Sequence, residues 1–292
     1  MQKFHATTLA RWLVCCPLLA VAGAGLTAGS SRPEPMFTRY AGIYQAPTLD
    51  IRAEYFVDKP MEEMQDFDGY GLTLDFTWPL NAMSQLELLA PIYTSGDGVY
   101  DNPGNGFNGV PIDVEGYGGV RQFMSLIYER RLPWLEHRLG ANVAWLAGAG
   151  KRAKTLDAEY RGTTVDRFNH TGHNFQVGLK LDDDIRGGAQ TLLGNLRYVM
   201  FRDSDDINLT GGAASFDVLY ASGAVMFNNH GPVRPVLEAI LEHDFESYTA
   251  FSLAPELLYA VGGQWDLKAG LPFRLTSDGQ QYAAELELTF RF

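Results

Sequence analysis

Segments of about ten residues in which apolar and polar side chains alternate recur along the whole chain of 292 residues. Side chains of a β-strand point alternately to its two faces, so a period of two predicts strands with one apolar face. No window of helical length carries a convincing helical stripe. The pattern is clear in the last segment, where Tyr282, Ala284, Leu286, Leu288, Phe290 and Phe292 alternate with Ala283, Glu285, Glu287, Thr289 and Arg291. The sequence therefore predicts an all-β fold.

The spacing of these segments predicts their topology. Connections at 81–83, 133–137, 183–189, 228–232 and 262–264 are short, whereas those at 94–119 and 150–172 are long. Bacterial outer-membrane barrels have an even strand number, short periplasmic turns and longer external loops. We predict a transmembrane antiparallel up-and-down β-barrel of about twelve strands over residues 49–292, in the cell outer membrane. The strands are expected near 49–58, 70–80, 84–93, 120–132, 138–149, 173–182, 190–201, 214–227, 233–242, 249–261, 265–275 and 281–292.

Aromatic residues recur eight positions apart on the apolar faces of several predicted strands. Eight residues at a rise of ~3.3 Å span about 26 Å along a strand, or about 20 Å along the membrane normal at the usual tilt. A soluble β-sandwich or lipocalin-like barrel would use its apolar face as a core and would not need aromatics at matched ends. We therefore expect contact with outer-membrane lipid and lipopolysaccharide. The predicted aromatic girdles comprise Tyr70, Trp78, Phe251, Tyr259, Trp265, Phe273, Tyr282 and Phe290.

The N-terminal thirty residues predict export. Lys3 and Arg11 precede the apolar run 12–21, and Ala22-Gly23-Ala24 offers a small-residue cleavage pattern. These features are typical of a secretory signal peptide. We predict a signal peptide at 1–24, with cleavage as late as about residue 30, and a periplasmic segment at 25–48.

The predicted mature chain has no cysteine, because the two cysteines lie within the signal. A disulfide framework and a thiol nucleophile are thereby excluded. The 21 basic and 35 acidic residues that remain after the signal give a net charge of −14. Nucleic acid is a poor partner for so acidic a chain, since binding to it requires a basic patch.

The C-terminal segment 286–292 resembles the terminal-strand signal read by the outer-membrane barrel assembly machinery, with Phe292 as its final aromatic residue. The stretch Gly270-Leu271-Pro272-Phe273-Arg274-Leu275-Thr276-Ser277-Asp278, followed by Tyr282, resembles the closing hairpin of the phenol-degradation meta-pathway outer-membrane family. The resemblance covers about the last thirty residues. It implies a transporter of small aromatic or hydrophobic compounds.

Residues that could carry catalysis or bind metal do not form a recognisable motif. No histidine after the signal is followed two positions later by serine, the pair that outer-membrane phospholipases use. His170 and His173 with Asp166, or the acidic loop 203–208, could bind a cation, but a solvated loop accounts for either group. We expect no enzymatic activity, no cofactor and no bound metal.

The polar faces of the predicted strands carry charges that would line the barrel interior. Twelve acidic and nine basic residues fall on them. Such a lining favours a narrow hydrated channel for small solutes, in a barrel that we expect to be a monomer. Pairing of these charges across strands could instead hold the interior closed, in a structural, adhesive or lipid-modifying barrel. The loop 94–119 could fold into the barrel or remain on its surface. The predicted lining charges are Asp50, Arg52, Glu54, Asp75, Glu87, Arg197, Glu256, Asp266, Lys268, Arg274, Glu285, Glu287 and Arg291.

Overall fold

The computed structural model of the chain consists of antiparallel strands joined by turns. It describes residues 32–59, 64–100, 109–116, 125–132, 138–147, 157–160, 163–165, 172–203, 215–245, 248–261 and 263–292. The predicted signal peptide lies outside the described residues. No helix in the described ranges is long and apolar enough to cross a membrane. The strands are β1 (Thr48–Val57), β2 (Met64–Asn81), β3 (Ser84–Tyr100), β4 (Val110–Gly116), β5 (Ser125–Leu132), β6 (Arg138–Ala147), β7 (Asp157–Tyr160), β8 (Thr163–Val165), β9 (Gly172–Ile185), β10 (Gln190–Asp203), β11 (Ser215–Phe227), β12 (Val233–His243), β13 (Thr249–Val261), β14 (Trp265–Gly270), β15 (Phe273–Arg274) and β16 (Tyr282–Arg291).

The strands close into a ring. Strand β1 pairs with β2 on one side and with the C-terminal strand β16 on the other, so that Leu49 lies opposite both Phe76 and Phe290. The ring then runs β2, β3, β5, β6, β9, β10, β11, β12, β13, β14 with β15, and β16. When β14 and β15 are counted as one interrupted strand, the described part of the chain forms a closed barrel of twelve strands. The predicted all-β antiparallel barrel is confirmed.

The short turns and the C-terminus lie at one end of the barrel. The N–H of Phe292 donates to the carbonyl of Pro47 at 3.0 Å, which joins the C-terminus to the residue preceding β1. The N–H of Asn228 donates to the carbonyl of Ala189 at 2.9 Å, which joins two neighbouring turns at the same end. Since short turns are periplasmic in this architecture, this end is taken as periplasmic.

The opposite, extracellular end is extended on one side. Strands β2 and β3 extend beyond the predicted ranges 70–80 and 84–93. Next to them, β4 pairs with β3, β7 pairs with β4, and β8 pairs with β7. The described part of loop 94–119 therefore continues the wall as a β-hairpin. At Gly69 the two strands approach so closely that a Cβ atom would clash with the carbonyl oxygen of Ser95.

The predicted strand 265–275 is interrupted, in contrast to the continuous strand that we expected. The ladder of β14 ends at Gly270 and resumes at Phe273, with Leu271-Pro272 between them. The carbonyl of Pro255 in β13 accepts the N–H of Leu271 at 3.1 Å. Because N–H and C=O of one strand residue point to the same side, the missing N–H of Pro255 faces this interruption. Both prolines thus lie where the ladder is already broken, as expected of proline in a sheet.

The two faces of the wall differ as the alternation predicts. In β16, inward residues are buried and outward residues are exposed or half-buried. Outward residues such as Leu257 and Leu286 remain 56% and 52% exposed, which in water would leave a large apolar surface uncovered. Of the predicted girdle residues, Phe251 is half-buried, and the terminal Phe292 is exposed. The other predicted girdle residues are also exposed, namely Tyr70, Trp78, Tyr259, Trp265, Phe273, Tyr282 and Phe290.

Residues 32–47, which we call the plug segment, lie inside the barrel. Met36 and Ala46 are 1% and 2% exposed, and Thr38 is fully buried. A periplasmic segment was predicted at 25–48; residues 32–47 of it lie within the ring of strands, because polar groups of the lumen bind them at many points. The interior is therefore occupied by the chain itself.

Candidate functional site: the charged lumen and the plug segment

The plug segment enters and leaves the barrel at the periplasmic end. Arg32 Nη2 lies 2.5 Å from Asp184 Oδ1 and 3.2 Å from Thr191 Oγ1, beside the turn between β9 and β10. At its other end the segment runs through Pro47, which binds Phe292, into β1. Residues between these anchors form a loop that reaches into the lumen and returns.

Arg39 is the centre of the plug segment's contacts. Its Nη1 lies 2.6 Å from Glu34 Oε1 and 2.9 Å from Asp50 Oδ2, and its Nη2 lies 3.2 Å from Asp75 Oδ2 and 4.0 Å from Glu287 Oε1. Burial lowers the pKa of Arg39, but Asp50, Glu34 and Glu287 raise it well above its ordinary value. Arg39 therefore remains a cation, and it neutralises acids that the wall directs into the lumen.

The backbone before Arg39 is bound by two wall carboxylates. The N–H of Met36 donates to Glu256 Oε2 at 3.2 Å, and the N–H of Phe37 donates to Glu238 Oε1 at 3.3 Å. The hydroxyl of Thr38 donates to Glu238 Oε2 at 3.1 Å. These hydrogen bonds tie three successive residues of the segment to β12 and β13 and so fix its conformation.

Strands β3, β9 and β10 also bind the segment, through side chains that are neutral or acidic. The amide of Asn195, oriented to satisfy both contacts, accepts the N–H of Arg39 at 2.7 Å and donates to its carbonyl at 2.9 Å. The N–H of Ala41 donates to Asp182 Oδ1 at 2.9 Å, and the N–H of Tyr44 donates to Gln85 Oε1 at 2.8 Å. The plug segment is thus bound to strands on all sides of the ring.

Wall charges also pair with one another. Lys268 Nζ lies 2.5 Å from Glu287 Oε1, with both side chains 1% exposed. Lys180 pairs with Glu129, and Arg291 pairs with Asp266 near the periplasmic end. Such buried pairs add little net stability, but loss of one partner leaves an uncompensated charge and is costly. Cross-strand pairing therefore fixes where each charge lies.

A cavity of about 320 Å³ remains in the lumen, with the plug segment on one side. Met36, Phe37 and Arg39 contribute to its lining. Its wall carries charges such as Arg52 and Glu285 together with apolar side chains. The volume is within the range of small-molecule pockets in proteins.

The structure brings most of the predicted lining charges together. Arg274 is the exception, since it pairs with Asp58 at 2.8 Å toward the extracellular end of the closing strands. Arg52 Nη1 lies 3.8 Å from Glu285 Oε2, and Lys59 Nζ lies 2.5 Å from Glu54 Oε1. The other predicted residues are inward: Asp50, Asp75, Glu87, Arg197, Glu256, Asp266, Lys268, Glu287 and Arg291.

The residues of the plug segment were not predicted from the sequence to lie in the lumen. Arg39, Glu34 and Thr38 have no strand periodicity, so no pattern assigned them to the interior. One indication was present, namely the excess of inward acidic residues over basic ones. An enclosed lumen with such an excess requires further cations, and Arg39 supplies one.

Most candidate metal ligands in the loops lie outside the described residues, among them Asp166, His170 and residues 205–208. His173 and Asp203 belong to β9 and β10, but their side chains are not described. Among the residues that the structure does describe, no group of three or more histidine, cysteine or acidic side chains could hold a metal ion.

Comparison with solved structures identifies the fold. An outer-membrane channel from Pseudomonas putida F1 has a TM-score of 0.57 at 11% identity, over 89% of this chain and all of that one. The translocator domain of the autotransporter NalP from Neisseria meningitidis has a TM-score of 0.54 at 10% identity, over 85% and 88%. The NanC porin has a TM-score of 0.50 at 11% identity, over 84% and 100%.

The chain folds as an outer-membrane β-barrel. This agrees with the predicted location in the outer membrane and with the exposed apolar face of the wall. At identities of 10% to 11% these likenesses show the fold alone. No family model and no curated protein sequence matches the chain. The resemblance of the C-terminal hairpin to the phenol-degradation meta-pathway family is not confirmed and stays a prediction.

Proposed function

We propose that the chain is an outer-membrane channel or transporter for small solutes, and that the plug segment closes its lumen in the structure described above. The observation that carries this proposal is the insertion of Arg39 among Glu34, Asp50 and Asp75 inside the barrel. Arg39 belongs to the plug segment and not to a strand of the wall, and its positive charge balances acidic side chains that face the lumen. Displacement of the segment would leave a polar, hydrated path lined by Asp50 and Asp75 of the wall.

The kind of contact that holds the plug segment supports a movable closure. Its interactions include ion pairs and hydrogen bonds to side chains of the wall, such as Asp182, Glu238 and Glu256. Water can replace these hydrogen-bond partners at little net cost, and displacement also separates Tyr40 from the apolar cluster of Leu193, Met226 and Leu258, which costs free energy. Twelve-stranded barrels also have a lumen wider than the filled eight-stranded ones, so its emptying would open a passage.

The same filled lumen favours a second function, that of a barrel that does not transport. In that case Lys268–Glu287 and the Arg39 cluster would serve only to hold the strands together, in a structural or adhesive surface protein. Under both proposals the partners of the barrel are outer-membrane lipid, lipopolysaccharide and the barrel assembly machinery, and the barrel acts as a monomer without enzymatic activity. Transport adds a small-molecule solute as a partner.

Ion conductance in planar lipid bilayers separates the two functions. The test compares the wild-type barrel with a variant in which residues 33–46 are replaced by glycine and serine at the same length. We expect the variant to conduct far more than the wild type, because the replaced side chains no longer fill the lumen. If both folded proteins are equally non-conducting, the channel proposal is wrong and the structural function remains.

A further inference from the structure

Arg197 occupies a distinctive place in the lumen. It lies in β10, two residues toward the extracellular end from Asn195, whose amide binds the backbone of Arg39. Its guanidinium is positioned over the ring of Tyr220, 5.2 Å from the ring centroid, and both residues line the cavity. An arginine stacked on an aromatic ring keeps the edge of its guanidinium available for an anion.

The other cations that line the cavity are already paired with acids. Arg39 and Arg52 pair as described above, Lys59 pairs with Glu54, and Lys180 pairs with Glu129. Arg197 differs, because within the described ranges no carboxylate lies within 4.0 Å of its guanidinium. A cation aimed into a confined cavity without an ion-pair partner is a candidate ligand-binding group.

The carboxylate of Glu87 interacts with Arg197 electrostatically at longer range. That carboxylate is shared with Lys180, whose Nζ lies 3.9 Å from Glu87 Oε2. Arg197 therefore keeps capacity to bind an incoming anion.

Apolar side chains surround the same part of the cavity. On three strands the inward residues change from charged to apolar toward the extracellular end. One inward position further in that direction, Leu89 lies beyond Glu87, Ile127 beyond Glu129, and Val199 beyond Arg197. These apolar residues and Ile240 line the cavity. This part of the cavity thus places Arg197, which has no ion pair among the described residues, beside an apolar stretch of the wall.

We propose that this part of the lumen is a binding site for small amphiphilic anions, with the acidic group on Arg197 and the apolar body against Leu89, Ile127, Val199 and Ile240. The inference rests on the proposed function, in which small solutes enter the lumen. It specifies the substrate class, namely a molecule with one anionic oxygen-acid group and an apolar portion small enough for a cavity of about 320 Å³. Selection by charge would favour anions over neutral or cationic molecules of equal size.

Calorimetric titration of the full barrel in lipid nanodiscs tests the proposal with benzoate, benzyl alcohol and benzylammonium as probes of matched size. We expect benzoate to bind more tightly than the other two. Arg197→Gln should weaken benzoate binding by about tenfold or more, since it removes a charge-assisted hydrogen bond. Arg197→Lys should restore part of the affinity, because it keeps the charge but not the planar guanidinium.

The matched control is Arg130→Gln, which removes the same charge from an exposed arginine of β5. It should leave benzoate binding unchanged. Equal affinity for the three probes, or unchanged benzoate affinity in folded Arg197→Gln, overturns the proposal. Since the titration measures binding and not passage, a barrel that binds benzoate through Arg197 but never conducts would disprove transport while supporting this site.

Discussion

Arg39 Nη1 lies 2.9 Å from Asp50 Oδ2, which joins the plug segment to the first strand of the wall. Asp50 also accepts the hydroxyl of Thr289 from the last strand, so the pair lies where the barrel closes on itself. One carboxylate therefore links the closing seam to the plug segment. If the plug segment left the lumen, Asp50 at the seam would therefore lose its cationic partner Arg39.

Arg39→Gln should loosen the plug segment and destabilise the barrel. The substitution leaves several buried acids without their cation, a loss that typically costs about 3–5 kcal/mol. Urea-induced unfolding in lipid vesicles measures the free energy, and bilayer recordings should show increased conductance. Arg186→Gln removes the same charge from an exposed periplasmic turn and should change neither. Equal stability and conductance of the two variants would mean that Arg39 does not hold the segment.

Leu286→Arg should destabilise the barrel by about 2–4 kcal/mol, because Leu286 is exposed near the middle of β16, where the wall would face hydrocarbon. Tyr282→Arg, at the extracellular end of the same outward row, should cost only about 0–1 kcal/mol. Equilibrium unfolding from phosphatidylcholine vesicles gives both values. Similar costs at the two positions would contradict the assignment of Tyr282 to the membrane rim.

Gly69→Ala should disrupt the extension of β2 and β3, since the added Cβ atom would clash with the carbonyl oxygen of Ser95 in the neighbouring strand. Gly194→Ala offers a control, because its nearest contact is an ordinary 3.9 Å. Limited proteolysis should cleave the extracellular extension of the first variant faster than that of the second. Equal cleavage would show that the close approach at Gly69 is not required.

The faces of the wall could be predicted from the sequence because a strand has a fixed period of two. Glu285 and Glu287 were assigned to the interior in this way, and both are buried. The interruption at Leu271-Pro272 was missed because the alternation continues through it, with Pro272 buried between two exposed residues. Periodicity reports which face a residue occupies and does not report whether its backbone is paired.

The plug segment could not be predicted, for a different physical reason. Its conformation is imposed by groups distant in sequence, such as Glu238 and Glu256, which lie 200 or more residues away. No local pattern encodes such contacts. What the sequence did contain was an excess of inward acids, and that excess becomes interpretable only once the enclosed lumen is known.

The most direct measurement of the central claim, that the plug segment closes the lumen and must move for passage, is conductance with the segment locked in place. A Cβ atom at Gly270 would lie 3.1 Å from Met36 Sδ, so the two positions face each other. A disulfide between them is introduced with Met36→Cys and Gly270→Cys, and its formation is verified by mass spectrometry before recording. Each cysteine variant alone, treated with the same oxidant, is the control.

The recordings use the Arg39→Gln background, in which openings are expected. We predict that oxidation of the double-cysteine barrel abolishes these openings and that reduction restores them, while the single-cysteine controls do not respond. Conductance that persists with the disulfide shown by mass spectrometry to be intact would contradict the account.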